Sequence, residues 1–334
     1  MRLFLHPDDG RLRLPWRLLV HGAAALLCGA GAAVPLAEGL TALHRRGLFW
    51  SGLSKEPYDL AINMLVGPLL TAGIVLATVL CTRRFDRREP HEIGLSAGGR
   101  WLGHWLFGAA LGGVLQAAIF LVEYELGWAR VASHPRLAHP EASLALCVGF
   151  SATKAVCVGV YEEVVSRGYQ LRNLAEGLYR RERSIRAALF AGTLLSSVLF
   201  AVLHVLSAPL SPLRVTGLVF DGILLASGYV LTGSLGVSIG LHSGWNFFQG
   251  AVFGFPVSGD LEPGSLVDLT QGGPEWFTGG SFGPEGGVAG ILAALAGIAA
   301  ITAWARARGG PSPLEAGRWP WRRGRGYTAG RSGK

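Results

Sequence analysis

Along this chain, apolar runs long enough to cross a bilayer alternate with short polar connections that are rich in arginine or glycine. The runs extend from Leu18 to Leu36, Leu60 to Cys81, Leu102 to Leu126, Leu144 to Glu162 and beyond, Ala187 to His204 and beyond, Leu213 to Leu231, Leu235 to Phe253, and Val288 to Ala305. Each is long enough to span as a helix, so the pattern predicts an all-α, polytopic membrane protein of about eight transmembrane helices. Arg17 and the small residues after the first run are also features of a cleaved leader, but seven further spans favour a retained helix.

Lys and Arg positions are consistent with this count, because a wrong number of spans would scramble the side on which they fall. Arg2, Arg11, Arg13 and Arg17 precede the first span, and Arg83, Arg84, Arg87, Arg88 and Arg100 lie between the second and third. Arg172, Arg180, Arg181, Arg183 and Arg186 follow the fourth, and the tail from Arg306 is basic. The long connection from Gly254 to Gly287 has no Lys or Arg but carries Asp260, Glu262, Asp268, Glu275 and Glu285. Both termini are therefore expected in the cytoplasm, with the protein in the cell's inner (plasma) membrane. The domain plan is a cytoplasmic segment 1–17, a membrane domain 18–305 whose motif-bearing core is about 144–253, an outer loop 254–287, and a basic tail 306–334 without packed structure. The outer loop reads as a mobile connection kept soluble by its acids, with a lid over a cavity as the alternative.

Composition agrees, with half the residues hydrophobic, only 16% charged, and a net charge of +8. The mean hydropathy is +0.38. The positive balance is accounted for by topology and by attraction to anionic lipid headgroups, so lipid is the expected partner and nucleic acid is not. Cys28, Cys81, Cys147 and Cys157 all lie in apolar segments and read as small core residues rather than disulfides or a metal cage.

Against this background, three polar patterns stand out: Glu162-Glu163-x-x-x-Arg167, Phe200-x-x-x-His204 and His242-x-x-x-Asn246. Ionisable groups are expensive in hydrocarbon, so the cluster marks a functional site in an intramembrane polar cavity. Residues four apart share a helix face, which lets Glu163 pair with Arg167 while Glu162, about 100° round the helix, points elsewhere. A carboxylate and an imidazole suit water activation, and an imidazole with an amide suits oxyanion stabilisation. Gly236, Gly240 and Gly244 allow close helix approach around His242 and Asn246. One condition follows from depth: the fourth helix must continue past Arg167, or Glu162 and His204 lie at different levels in the membrane.

In this order on late helices, the three motifs resemble those of the CPBP (Abi) intramembrane protease family, which includes the type II CAAX prenyl endopeptidases. The resemblance covers roughly Arg83 to Phe255. It implies peptide-bond hydrolysis of a peptide or protein substrate, membrane-anchored ones included, inside the membrane. Residue by residue, it implies catalytic roles for Glu162 and His204, which would activate water, and for His242 and Asn246, which would stabilise the oxyanion, with Glu163 and Arg167 in support. It leaves open whether the chemistry depends on metal. Glu162, His204 and His242 are zinc ligands by type. His91-Glu92-Ile93-Gly94-Leu95, however, lacks the second histidine of a zincin helix, so the expected chemistry has no firm cofactor and zinc is the alternative.

Two other readings compete. Gly236-Val237-Ser238-Ile239-Gly240 formally matches a serine-hydrolase elbow, but it lies in a hydrophobic helix rather than a strand-to-helix turn. A scaffold or bacteriocin-immunity-type protein could also keep the cavity and use it only to bind a partner.

Overall fold

The computed structural model describes residues 4–5, 11–96, 98–132, 134–179, 184–205 and 211–308. Residues 309–334 of the basic tail and Arg2, Arg180, Arg181 and Arg183 lie outside the described residues, whereas Arg306 lies in the last turn of the final helix. The chain forms α1 (Leu14–Arg45), α2 (Lys55–Arg84), α3 (Gly99–Glu125), β1 (Ala129–Val131), β2 (Arg136–Leu137), α4 (Leu144–Glu163) and α5 (Arg172–Leu178). It continues with α6 (Ile185–Val205), α7 (Pro212–Thr232), α8 (Leu235–Asn246), β3 (Gly264–Ser265), β4 (Leu269–Gln271), α9 (Glu275–Thr278) and α10 (Val288–Ala307). All eight expected helices are present, and seven of them are long and apolar enough to cross a membrane. The exception is α8, a 12-residue α-helix extended by a π-helical turn, Phe247–Val252. Its side chains from Leu235 to Trp245 are all buried, so it is enclosed by other helices instead of facing lipid.

Large apolar side chains remain exposed on the outer helices, among them Leu26, Val114, Phe190, Leu203 and Leu292. On a soluble protein that surface would be a liability; here it is what lipid requires. Inside, Leu115, Leu224, Leu241, Trp245, Phe255 and Ala294 belong to one core cluster where α3, α7, α8 and α10 meet.

The α3–α8 contact is set by small residues. A Cβ at Gly240 would lie 2.0 Å from the Trp105 carbonyl oxygen, and one at Gly244 would lie 2.3 Å from that of Ala109. The glycine stripe therefore seats α8 against α3. The close approach to the helix bearing Glu162 comes from α4 itself, where a Cβ at Gly159 would lie 2.4 Å from Ser243 Oγ.

At the end where α1 begins, several of the topology-determining arginines are ion-paired. Arg11, Arg17 and Arg88 converge on Glu176 of α5, and Arg17 and Asn173 also contact Asp86. Arg172 pairs with Glu92. The first helix is thereby tied to the end of the helix that carries the first motif.

The long loop departs from the expected mobile connection. β1 pairs with β4 and β2 with β3, both antiparallel, which stitches residues 264–271 to the α3–α4 connection. Two of its acids are buried instead of solvating it: Glu262 accepts from Ser151 Oγ at 2.6 Å and pairs with Lys154 at 2.9 Å, and Glu285 accepts from Gln249 and Ser258.

Candidate active site

The fourth span meets the depth condition, because it runs unbroken from Leu144 to Leu178. α4 passes into a π-helical stretch, Val164–Leu171, directly after Glu162-Glu163, and α8 does the same directly after Asn246. π-turns are rare and gather at functional sites, where the extra residue per turn re-aims side chains.

Glu163 and Arg167, both fully buried, pair at 2.7 Å. Arg167 also donates to the Gly222 carbonyl oxygen on α7 at 3.0 Å and lies 4.6 Å from the centre of the Phe200 ring. That ring is in turn 4.4 Å from His204 and 6.2 Å from His242, centre to centre. The phenylalanine one turn before His204 is therefore the apolar spacer on which the charged and imidazole groups rest.

Glu162 stands apart from this pair. Its Oε2 lies 3.8 Å from His204 Nε2 and 4.0 Å from His242 Nε2, and it accepts no hydrogen bond among the described residues. Both rings are held from behind. His204 Nδ1 contacts the Phe200 carbonyl oxygen at 2.9 Å and His242 Nδ1 contacts Glu163 Oε1 at 3.0 Å. Each of those oxygens can only accept, so each Nδ1 carries the proton. In the neutral tautomer, both Nε2 atoms then face Glu162 as bare acceptors.

These groups open into a cavity of about 290 Å³, lined among others by Glu162, His204, His242 and Asn246. All four sequence-derived catalytic candidates thus meet at one cavity, with Glu163 and Arg167 packed behind it. The sequence reading missed Asp221, Ser258 and Glu285, which line the same space. Asp221 had a signal, since it is the sole acid in the apolar run from Leu213 to Leu231. Ser258 and Glu285 lie in the loop whose alternative reading was a lid over a cavity, but no local pattern singled out either residue.

Glu162, His204 and His242 are zinc donors by type, and anchored Nδ1–H groups are usual behind zinc-bound histidines. A tetrahedral zinc nevertheless holds its donors about 3.3 Å apart. Among the described residues, the trio whose donor atoms all fall within 4.8 Å is Glu56, His139 and Glu141, at the far end of α2. As placed, Glu162, His204 and His242 are too widely spread to fit a zinc ion. Ser238, the alternative nucleophile, is fully buried, donates to the Leu225 carbonyl oxygen at 2.7 Å and does not itself line the cavity.

Comparison with known proteins gives one match, and it falls on this site. Residues 144–248 match the family model described as type II CAAX prenyl endopeptidase Rce1-like, a stretch that contains all three motifs. The match covers less than half of the chain and agrees with the resemblance drawn from the motifs, in a multi-pass helical membrane protein. No curated protein and no solved structure is a significant match.

Proposed function

We propose that the protein is an intramembrane endopeptidase in which Glu162 and His204 activate water. The observation that carries this reading is the facing of acceptors: Glu162 Oε2, which has no donor among the described residues, lies 3.8 Å from His204 Nε2. A water molecule has two protons to offer, and two facing acceptors at this spacing lie within reach of one bridging molecule. Donating both hydrogens leaves the water lone pairs free to attack a peptide carbonyl carbon.

As the new C–O bond forms, Glu162 takes a proton and negative charge develops on the former carbonyl oxygen. Asn246 can donate an amide N–H to that oxygen whatever its environment. His242 can join it only when it carries a second proton, because its Nδ1–H is committed to Glu163. Collapse of the intermediate breaks the C–N bond, and the proton held by Glu162 passes to the leaving amine. The substrate is a membrane-associated peptide or protein, the chain sits in the plasma membrane with both termini cytoplasmic, and the water-activating arrangement needs no metal.

The test is cleavage of a membrane-inserted peptide library by detergent-purified protein. Glu162→Gln and His204→Ala are each expected to lower turnover by about 10²- to 10⁴-fold while folding and membrane insertion are retained. Full turnover in both variants would refute the mechanism and favour a scaffold that only binds. Loss of turnover with a chelator, restored by zinc, would refute its metal independence.

A further inference from the structure

The cavity holds more carboxyl groups than hydrolysis uses. Besides Glu162, it is lined by Asp221 of α7 and Glu285, which precedes α10. Asp221 Oδ1 is shielded from solvent and accepts no hydrogen bond among the described residues. Glu285 is only 4% exposed and accepts from Gln249 Nε2 and the Ser258 backbone N–H, both neutral donors.

Among the described residues, no cation forms an ion pair with Asp221 or Glu285. Arg167, whose donation to the Gly222 carbonyl fixes α7 beside Asp221, is committed to Glu163. Lys154, on the cavity wall, is committed to Glu262. Asp260, from the loop, adds a further acid to the lining. The rest of the wall is apolar and includes Leu218, Leu224 and Leu241.

We infer that this space is a subsite for a cationic group, the lysine or arginine side chain of a peptide substrate. The assignment rests on the peptidase reading above and deepens it by naming a substrate class. A long basic side chain matches the lining in both respects, since its methylene stem suits the leucines and its head group supplies the positive charge that the carboxylates lack. A buried carboxylate without a counter-charge is costly, so an entering cation is favoured twice, by attraction and by relief of that cost. An anionic group, a peptide's terminal carboxylate included, would meet four acids and, among the described lining residues, no unpaired lysine or arginine. The volume of about 290 Å³ is at the low end for small-molecule sites, suited to one side chain and a short extended stretch rather than a whole helix.

The test is calorimetric titration of the full-length, detergent-purified protein with three amphiphilic peptides that differ only in one central residue: Lys, norleucine or Glu. Binding of the Lys peptide is expected to be about ten-fold tighter than that of the norleucine peptide, with the Glu peptide weakest. In Asp221→Asn and Glu285→Gln, near-isosteric variants that remove one charge each, the Lys preference should fall to within about two-fold. Equal binding of the Lys and norleucine peptides, or a preference unchanged in both variants, would overturn the subsite. Binding is read without turnover, so the two hypotheses separate: cleavage that persists in Glu162→Gln sinks the catalytic role of Glu162, whereas the Lys preference alone decides the subsite.

Discussion

Replacing Arg167 by Met removes the one cation that compensates Glu163, and the structure sets the scale of the effect. Both side chains are fully buried and their atoms meet at 2.7 Å. With charge centres about 4 Å apart and an effective dielectric near 20, the attraction is about 4 kcal/mol. Losing one partner of a buried pair typically costs about 3–5 kcal/mol, because the other is left charged or must be neutralised. The His242 Nδ1–H donated to Glu163 softens this, so the lower end of that range is expected. The double variant Arg167→Met/Glu163→Gln removes both charges and should lose only about 1–2 kcal/mol. Equilibrium unfolding in mixed micelles, followed by helical ellipticity, measures the cycle, and a coupling of at least about 2 kcal/mol is expected. A loss below about 1 kcal/mol in Arg167→Met, or a double variant as unstable as the sum of the singles, would refute the claim that this pair is sealed from water.

Gly240→Ala should destabilise the protein by about 2–3 kcal/mol, since its Cβ would fall 2.0 Å from the Trp105 carbonyl oxygen and force α3 and α8 apart; unaltered unfolding would show that this seam yields easily. Glu285 provides a pH dependence, because burial pushes its carboxyl up from 4.5 to about 7. Between those values the folded protein keeps a proton that the unfolded chain has released, so stability should fall as pH rises through that window, by up to roughly 3 kcal/mol. Glu285→Gln should flatten the slope, and an unchanged slope would assign it to another group.

The site was legible in sequence to an unusual degree because hydrocarbon penalises charge. Glu162, Glu163, Arg167, His204, His242 and Asn246 stood out against apolar surroundings, and helical spacing correctly paired Glu163 with Arg167. The same logic should have flagged Asp221, which is equally anomalous but lies outside any motif. Other features needed the structure to complete or correct them. The glycines of α8 do permit close approach, and the partner is α3, which periodicity alone does not name. The acids Glu262 and Glu285 looked like solubilising loop residues, yet their partners Lys154 and Gln249 are far away in sequence.

By itself the sequence determined the class of fold, because helix length and apolar content are local properties that the bilayer tests one segment at a time. It also determined which residues had to be sheltered from lipid, and therefore the membership of most of the site. Only the tertiary structure decided that Glu162 faces His204 and His242, since that depends on which helices flank α4. That Ser258 and Glu285 of the loop line the cavity was likewise a tertiary decision. It rests on two short strand pairings and a few buried hydrogen bonds between distant segments, and no local pattern of residues encodes a partner that far away.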